Sequence, residues 1–275
     1  MDETFTDLPK WISDLPNAEY HAGPGFSSSG IESILISPGH YKARDKPATD
    51  ALLESSAFHC WLLEPHKFDE SYKVEAGTRT KKMKEEYADC GIELITQTQW
   101  DKIRYWADAV KTDKTASWLI SQESEHEVSG YWRDEKTGVL CKIRPDIKIN
   151  KHRYVVDLKT MTMAKRPSAS LFDKFSEEIV HRRYDWRAAF YLRGASQIDG
   201  LDYVTFIWIV ICKEPPYEVV CVVATDEMIE NGNAAIDKAL EIYAEAESTN
   251  NWWKRFYDGF QNAQYPMWHV PIIFD

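Results

Sequence analysis

Apolar residues recur at helical spacing in the first half of the chain and at strand spacing through much of the second. Ser27-Ser28-Ser29-Gly30 precedes Ile31, Ile34 and Leu35, a spacing that predicts a short capped helix ended by Pro38. From Asp50 to Glu64, Leu52, Leu53, Ala57, Cys60 and Trp61 mark a helix that Pro65 stops. Residues 75–91 are polar and charged and read as a mobile loop running into a helix. Over 97–121, Trp100, Ile103, Trp106, Val110, Trp118 and Leu119 form an apolar stripe, and core packing explains those tryptophans. A β-meander follows at roughly 125–133, 138–147 and 153–160, with Lys136-Thr137-Gly138 as its first turn. A helix is predicted over about 181–195. Strands at 203–212 and 217–225 flank Pro215-Pro216, and Thr225-Asp226 caps a long helix reaching about 247. Residues 1–20, acidic and broken by Pro9 and Pro16, read as an irregular arm. The tail from Asn250, rich in aromatics and prolines, is expected to drape over the surface.

With no internal repeat or low-complexity linker, these elements predict one domain over 1–275. It comprises the arm (1–20), a mainly helical part (21–121), a core (122–248) and the tail (249–275). At 275 residues, with 44% apolar and 13% aromatic residues, the chain can bury a sizeable core. No apolar run approaches the roughly 20 residues that span a bilayer. Met1-Asp2-Glu3-Thr4 is acidic and lacks the parts of a signal peptide. Cys60, Cys90, Cys141, Cys212 and Cys221 are scattered without a C-x-x-C, so they read as reduced, mostly buried thiols of a cytoplasmic protein rather than cluster ligands.

A net charge of −11 argues against nucleic acid until its distribution is examined. Between Arg133 and Arg193 there are 15 Lys/Arg against 8 Asp/Glu; the rest of the chain holds 18 basic against 36 acidic residues. A local basic patch suffices for phosphate affinity, while an acidic exterior repels DNA from the wrong surfaces. An ordinary solvated β-rich region would give the same count.

The same segment carries the candidate chemistry. Asp146 is followed eleven positions later by Asp157, with Lys159 two residues beyond. Tyr154-Val155-Val156 marks a buried strand, so Asp157 and Lys159 project from one face, and Asp146 can join them if the preceding strand returns alongside. Two carboxylates and an ammonium together suit a divalent cation beside a phosphate. Asp-x-Lys alone is weak evidence, since a surface ion pair explains most such triplets.

Four elements in order carry more. They are Ser56-Ala57-Phe58-His59-Cys60-Trp61-Leu62-Leu63-Glu64-Pro65, Arg144-Pro145-Asp146, Asp157-Leu158-Lys159-Thr160 and Tyr184-Asp185-Trp186-Arg187-Ala188-Ala189-Phe190-Tyr191. Together with Tyr20-His21 and the stretch Phe26 to Tyr41, they resemble the nuclease domain of RecE-like phage and prophage exonucleases (exodeoxyribonuclease VIII), of the PD-(D/E)xK superfamily, from about residue 20 to 248. The resemblance implies an α/β (α+β) fold, a restriction-endonuclease-like core with a mixed sheet flanked by helices and an N-terminal helical elaboration. It implies Mg²⁺ or Mn²⁺ held by His59, Asp146, Asp157 and the Leu158 carbonyl, with Lys159 catalytic. Without it, His59 reads as a core histidine. A second metal can join when substrate adds oxygens. The family pattern Gln-x-x-x-Tyr departs here to Arg187, with Tyr191 retained; Arg187 either takes over contact with phosphate or pairs with a carboxylate and alters the activity.

Arg144, Lys165, Arg166, Arg182 and Arg183 are the expected DNA contacts. The implied substrate is a duplex DNA end, degraded 5′ to 3′ inside a bacterial host cell to leave a 3′ strand for an annealing protein in phage-type recombination. A ring-shaped homotetramer is implied as well. The alternatives are a structure-specific or single-strand nuclease on the same fold, and a DNA- or protein-binding module with a decayed site.

Overall fold

The computed structural model describes residues 7–44, 50–77, 80–163 and 169–253. Strand β1 (Lys10–Ile12) leads into helices α1 (Asn17–Ala22), α2 (Ile31–Ile36), α3 (Pro38–Ala43), α4 (Asp50–Leu63) and α5 (Phe68–Ser71). Then come β2 (Tyr72–Glu75), α6 (Lys81–Ala88), β3 (Glu93–Thr96), α7 (Gln97–Thr112) and α8 (Lys114–Ile120). Five strands follow: β4 (Glu125–His126), β5 (Ser129–Arg133), β6 (Leu140–Ile143), β7 (Ile147–Ile149) and β8 (Tyr154–Met161). Helices α9 (Leu171–His181) and α10 (Tyr184–Asp199) lead to β9 (Thr205–Cys212), β10 (Val219–Val223) and α11 (Asp226–Thr249).

The central sheet has the order β10-β9-β8-β7-β4. Strands β8 and β9 are parallel, and α9 and α10 lie in the crossover between them; the other pairings are antiparallel. Being central, β9 is apolar on both faces (Thr-Phe-Ile-Trp-Ile-Val-Ile-Cys). Phe206, Trp208 and Val210 enter one apolar layer with residues of α2, β5, β6 and α9–α11. Ile207, Ile209 and Ile211 enter the other, with residues of α4, α7 and α8. Val155 of β8 belongs to the first layer and Val156 and Leu158 to the second, so alternation puts Asp157 and Lys159 on the Trp208 face.

Several expectations are corrected. The three-strand meander is divided between two sheets: β5 and β6 pair with β1, whereas β4, β7 and β8 join the central sheet. The expected strand 125–133 breaks at Glu127, whose φ is 49°. The strand at 138–147 breaks at Arg144-Pro145-Asp146, where proline has no N–H for a ladder. Within the arm, β1 and α1 are ordered elements; residues 1–6 lie outside the described ones. The ring of Trp11 in β1 lies on Gly130 of β5, 2.5 Å from where a Cβ would stand, so only glycine admits the strand there. Pro38 ends α2 and also opens α3, with Ser37 accepting from the His40 N–H as cap. The single helix over 97–121 is two, because Asp113 caps α8 through the N–H groups of Thr115 and Ala116. Helix α9 was not expected, and α10 runs from 184 rather than 181. Trp118 is largely exposed, whereas Trp106 is buried. The tail turns inward at Trp252, which is buried against Tyr41 and Tyr243; residues 254–275 lie outside the described ones.

Candidate active site

Strand β7 pairs with β8 only from Ile149↔Tyr154 to Ile147↔Val156. Beyond that point the β8 backbone needs another acceptor, and Asp146 supplies it: its Oδ2 accepts from the Leu158 N–H at 2.6 Å. The first aspartate is thereby fixed to the residue between Asp157 and Lys159. Asp157 is buried, and its Oδ2 accepts a short bond from the Lys159 ammonium. Its other oxygen lies 3.9 Å from Arg187 Nη1 on α10. The Tyr184 ring, one turn earlier on α10, has Lys159 Nζ 5.2 Å and Arg187 Cζ 6.0 Å from its centre. Tyr191 lies one turn after Arg187, and burial raises its pKa, with Arg187 opposing.

From the opposite layer, α4 brings His59, its Nδ1 3.5 Å from Asp146 Oδ2 and 3.8 Å from Glu127 Oε1. Glu127 was not anticipated from sequence. It follows the two-residue strand β4 in a left-handed conformation, and its N–H donates to the Asp146 carbonyl at 3.2 Å. Strand alternation would have aimed it with Glu125; the positive φ, uncommon for a non-glycine residue, breaks that pattern. The adjacent His126 ties the pieces together: Nδ1 lies 2.9 Å from the Leu63 carbonyl at the end of α4, and Nε2 2.9 Å from Ser124 Oγ.

Burial pushes Asp146 up to about 7, with His59 opposing and Asp157 and Glu127 reinforcing the rise. Burial disfavours charge on His59, but Asp146 and Glu127 outweigh it, so its pKa is also raised. Both shifts favour the protonated forms of these two neighbours when no cation lies between them. Donor atoms of His59, Glu127 and Asp146 lie within 4.8 Å of one another. One imidazole nitrogen and two carboxylate oxygens fit Mg²⁺ or Mn²⁺. Asp157 stands outside that trio, turned to Lys159 and Arg187. The Leu158 carbonyl lies 3.4 Å from Lys159 Nζ.

The expected DNA-contacting residues are dispersed. Arg144 is buried: its guanidinium donates to Ser129 Oγ, Asn17 Oδ1 and the Leu15 carbonyl, and stacks 4.5 Å over Tyr20. It holds the N-terminal arm, so its donors are already engaged within the fold. Lys142 and Lys148 are buried and internally bonded too, so part of the basic excess never reaches the surface. Arg182 pairs with Glu178, and Arg183, with a φ of 52°, heads α10 over the Trp186 ring. Lys165 and Arg166 lie outside the described residues.

A family model described as a PDDEXK-like domain of unknown function (DUF3799) matches residues 27–256. The chain belongs to that family. The PDDEXK-like fold expected from sequence is therefore the fold it has, a mixed sheet with helices on both faces. A crystal structure from Eubacterium rectale, of a protein provisionally assigned as an exonuclease, is similar with a TM-score of 0.58 and 16% identity. That match covers 86% of this chain and 88% of the other. A phage-related exonuclease from Haemophilus somnus 129PT matches at a TM-score of 0.38 and 11% identity, over 84% of this chain and 99% of the other. Both likenesses concern fold, and only the first is strong enough to support it. No curated protein matches the chain.

Proposed function

We propose that this PDDEXK-like domain is a metal-dependent DNA exonuclease of the RecE-like kind. The observation that carries the proposal is the open end of the β7–β8 ladder, beyond the Ile147↔Val156 pair. There His59, Glu127 and Asp146 converge from three elements beside the Asp157–Lys159 pair. His59, Glu127 and Asp146 would hold Mg²⁺ or Mn²⁺, with Asp157 and the Leu158 carbonyl at its border. A divalent cation bound there would polarise a phosphate oxygen and acidify an attacking water. Lys159 orients that water or stabilises transition-state charge, Arg187 donates to phosphate oxygens in fork geometry, and Tyr191 backs it from the next turn. Arg182 and Arg183 reach the phosphodiester backbone, joined by Lys165 and Arg166.

The substrate is a duplex end, consumed 5′ to 3′ in a bacterial cytoplasm. The 3′ strand left behind serves an annealing protein in phage-type recombination, and the working form is a homotetramer. No helix among the described residues is long and apolar enough to cross a membrane. Digestion of end-labelled duplex with Mg²⁺ tests this: a 5′ label should leave as short products while a 3′ label stays on long strands. Cleavage of covalently closed circles at a similar rate would replace the exonuclease with an endonuclease. A second reading is a nuclease-fold binding module with an altered site, favoured by the two cations that already engage Asp157. Such a module would bind duplex DNA yet show neither a Mn²⁺-dependent thermal shift nor degradation.

A further inference from the structure

Resting on the metal-dependent reading above, we infer that this site is built for a single divalent cation and that Arg187 is the fixed charge in place of a second. Three carboxylates, Glu127, Asp146 and Asp157, face two basic side chains, Lys159 and Arg187, while His59 is neutral when it acts as a ligand. That leaves one net negative charge. One divalent cation turns it to one positive charge, which matches one phosphodiester. Two divalent cations would leave three positive charges against the same phosphate.

Geometry agrees with the charge count. The donor trio lies on the His59 side, and Asp157, the carboxylate a second cation would need, already spends Oδ2 on Lys159 and has Oδ1 3.9 Å from Arg187 Nη1. Arg187 cannot yield by losing its proton, because a guanidinium keeps its charge across the working pH range. Lys159 is hemmed in as well, since the Tyr184 ring lies 5.2 Å from its ammonium. Even with full water screening, a unit cation about 4 Å from a divalent one weakens its binding roughly thirtyfold. In this half-buried site the effect is larger.

The test is calorimetric titration of Mn²⁺ into the metal-free full chain, alone and with a duplex whose terminal linkages are non-hydrolysable phosphorothioates. Wild type and Arg187→Lys should each take one Mn²⁺ per chain in both conditions. Arg187→Gln should take a second once the duplex is present, because the neutral amide removes the opposing charge. Two equivalents in wild type overturn the inference and leave the nuclease proposal standing. A single equivalent in Arg187→Gln, with a wild-type melting profile, overturns the role given to Arg187. No Mn²⁺ in wild type removes the metal-dependent reading underneath, and the inference with it.

Discussion

At the scale of single residues, Asp157 and Lys159 sit on a strand whose burial comes from Val155, Val156 and Leu158. Asp157→Asn or Lys159→Ala should therefore leave the core packed, with a melt lowered by the lost ion pair, while slowing DNA degradation about 10²–10³-fold. A rate within about threefold of wild type for either would move the active site elsewhere. His59→Ala and Glu127→Gln should weaken Mn²⁺ use more than DNA binding, and raised Mn²⁺ should restore part of the activity. If His59 were only a core residue, its variant would instead lose stability with no rescue by metal. Asp146 sets the pH dependence. Its folded pKa, about 7, is far above the ordinary aspartate value because of burial, so its protonated form stabilises the metal-free protein at low pH. That contribution is lost as pH rises through 7, and His59, also raised, acts in the same direction. Metal binding needs the ionised carboxylate. The thermal shift produced by Mn²⁺ should thus be larger at pH 8 than at pH 6, and Asp146→Asn should flatten the difference; a shift equal at both pH values in wild type would contradict this assignment.

Between elements, the position of Glu127 depends on how β4 meets β7. Lys148, fully buried in β7, lies 3.2 Å from Glu125 of β4 and 3.1 Å from Asp199 at the end of α10. Its ammonium is 4.2 Å from the Trp11 ring, and Trp11 Nε1 donates to Asp199 at 2.6 Å. One lysine thus joins β1, β4, β7 and α10. Lys148→Met should destabilise the protein by less than the roughly 3–5 kcal/mol of a fully buried pair, because Glu125 remains open to water. Metal affinity should fall with it although Lys148 touches no donor atom. Unchanged affinity in a folded Lys148→Met protein would show that β4 holds its place without the lysine. Gly130→Ala offers a steric counterpart: the added methyl meets Trp11 and Ile198 near 2.5 Å and should cost about 1–3 kcal/mol, read as a lowered melting temperature.

For the whole molecule, the proposed function asks an acidic chain to gather enough cations to hold DNA. With Lys142, Arg144 and Lys148 committed to internal bonds, the phosphate contacts that this function requires would fall to exposed groups such as Arg183. Arg183→Ala should reduce the slope of log affinity against log salt by about one phosphate contact, with Arg144→Ala acting on stability instead. An unchanged slope for Arg183→Ala would take that residue out of the interface.

Local pattern was enough for what local physics controls. The cap at Thr225, the stop after Leu63, the apolar run of β9 and the acid–acid–lysine spacing were all legible, because each depends on neighbours a few residues away; the helix after Gly30 was legible too, although no side chain of Ser27–Gly30 caps it. Glu127, the pairing of β8 with β9 and the fate of Arg144 were not. A left-handed residue at 127 is imposed by the pairing of β4 with β7. The division of the meander between two sheets follows from β1 returning to β5 over more than a hundred residues. An arginine reads the same in sequence whether it meets phosphate or the inside of its own fold. Tertiary packing decided which, because the Leu15 carbonyl and the Tyr20 face were there to receive it.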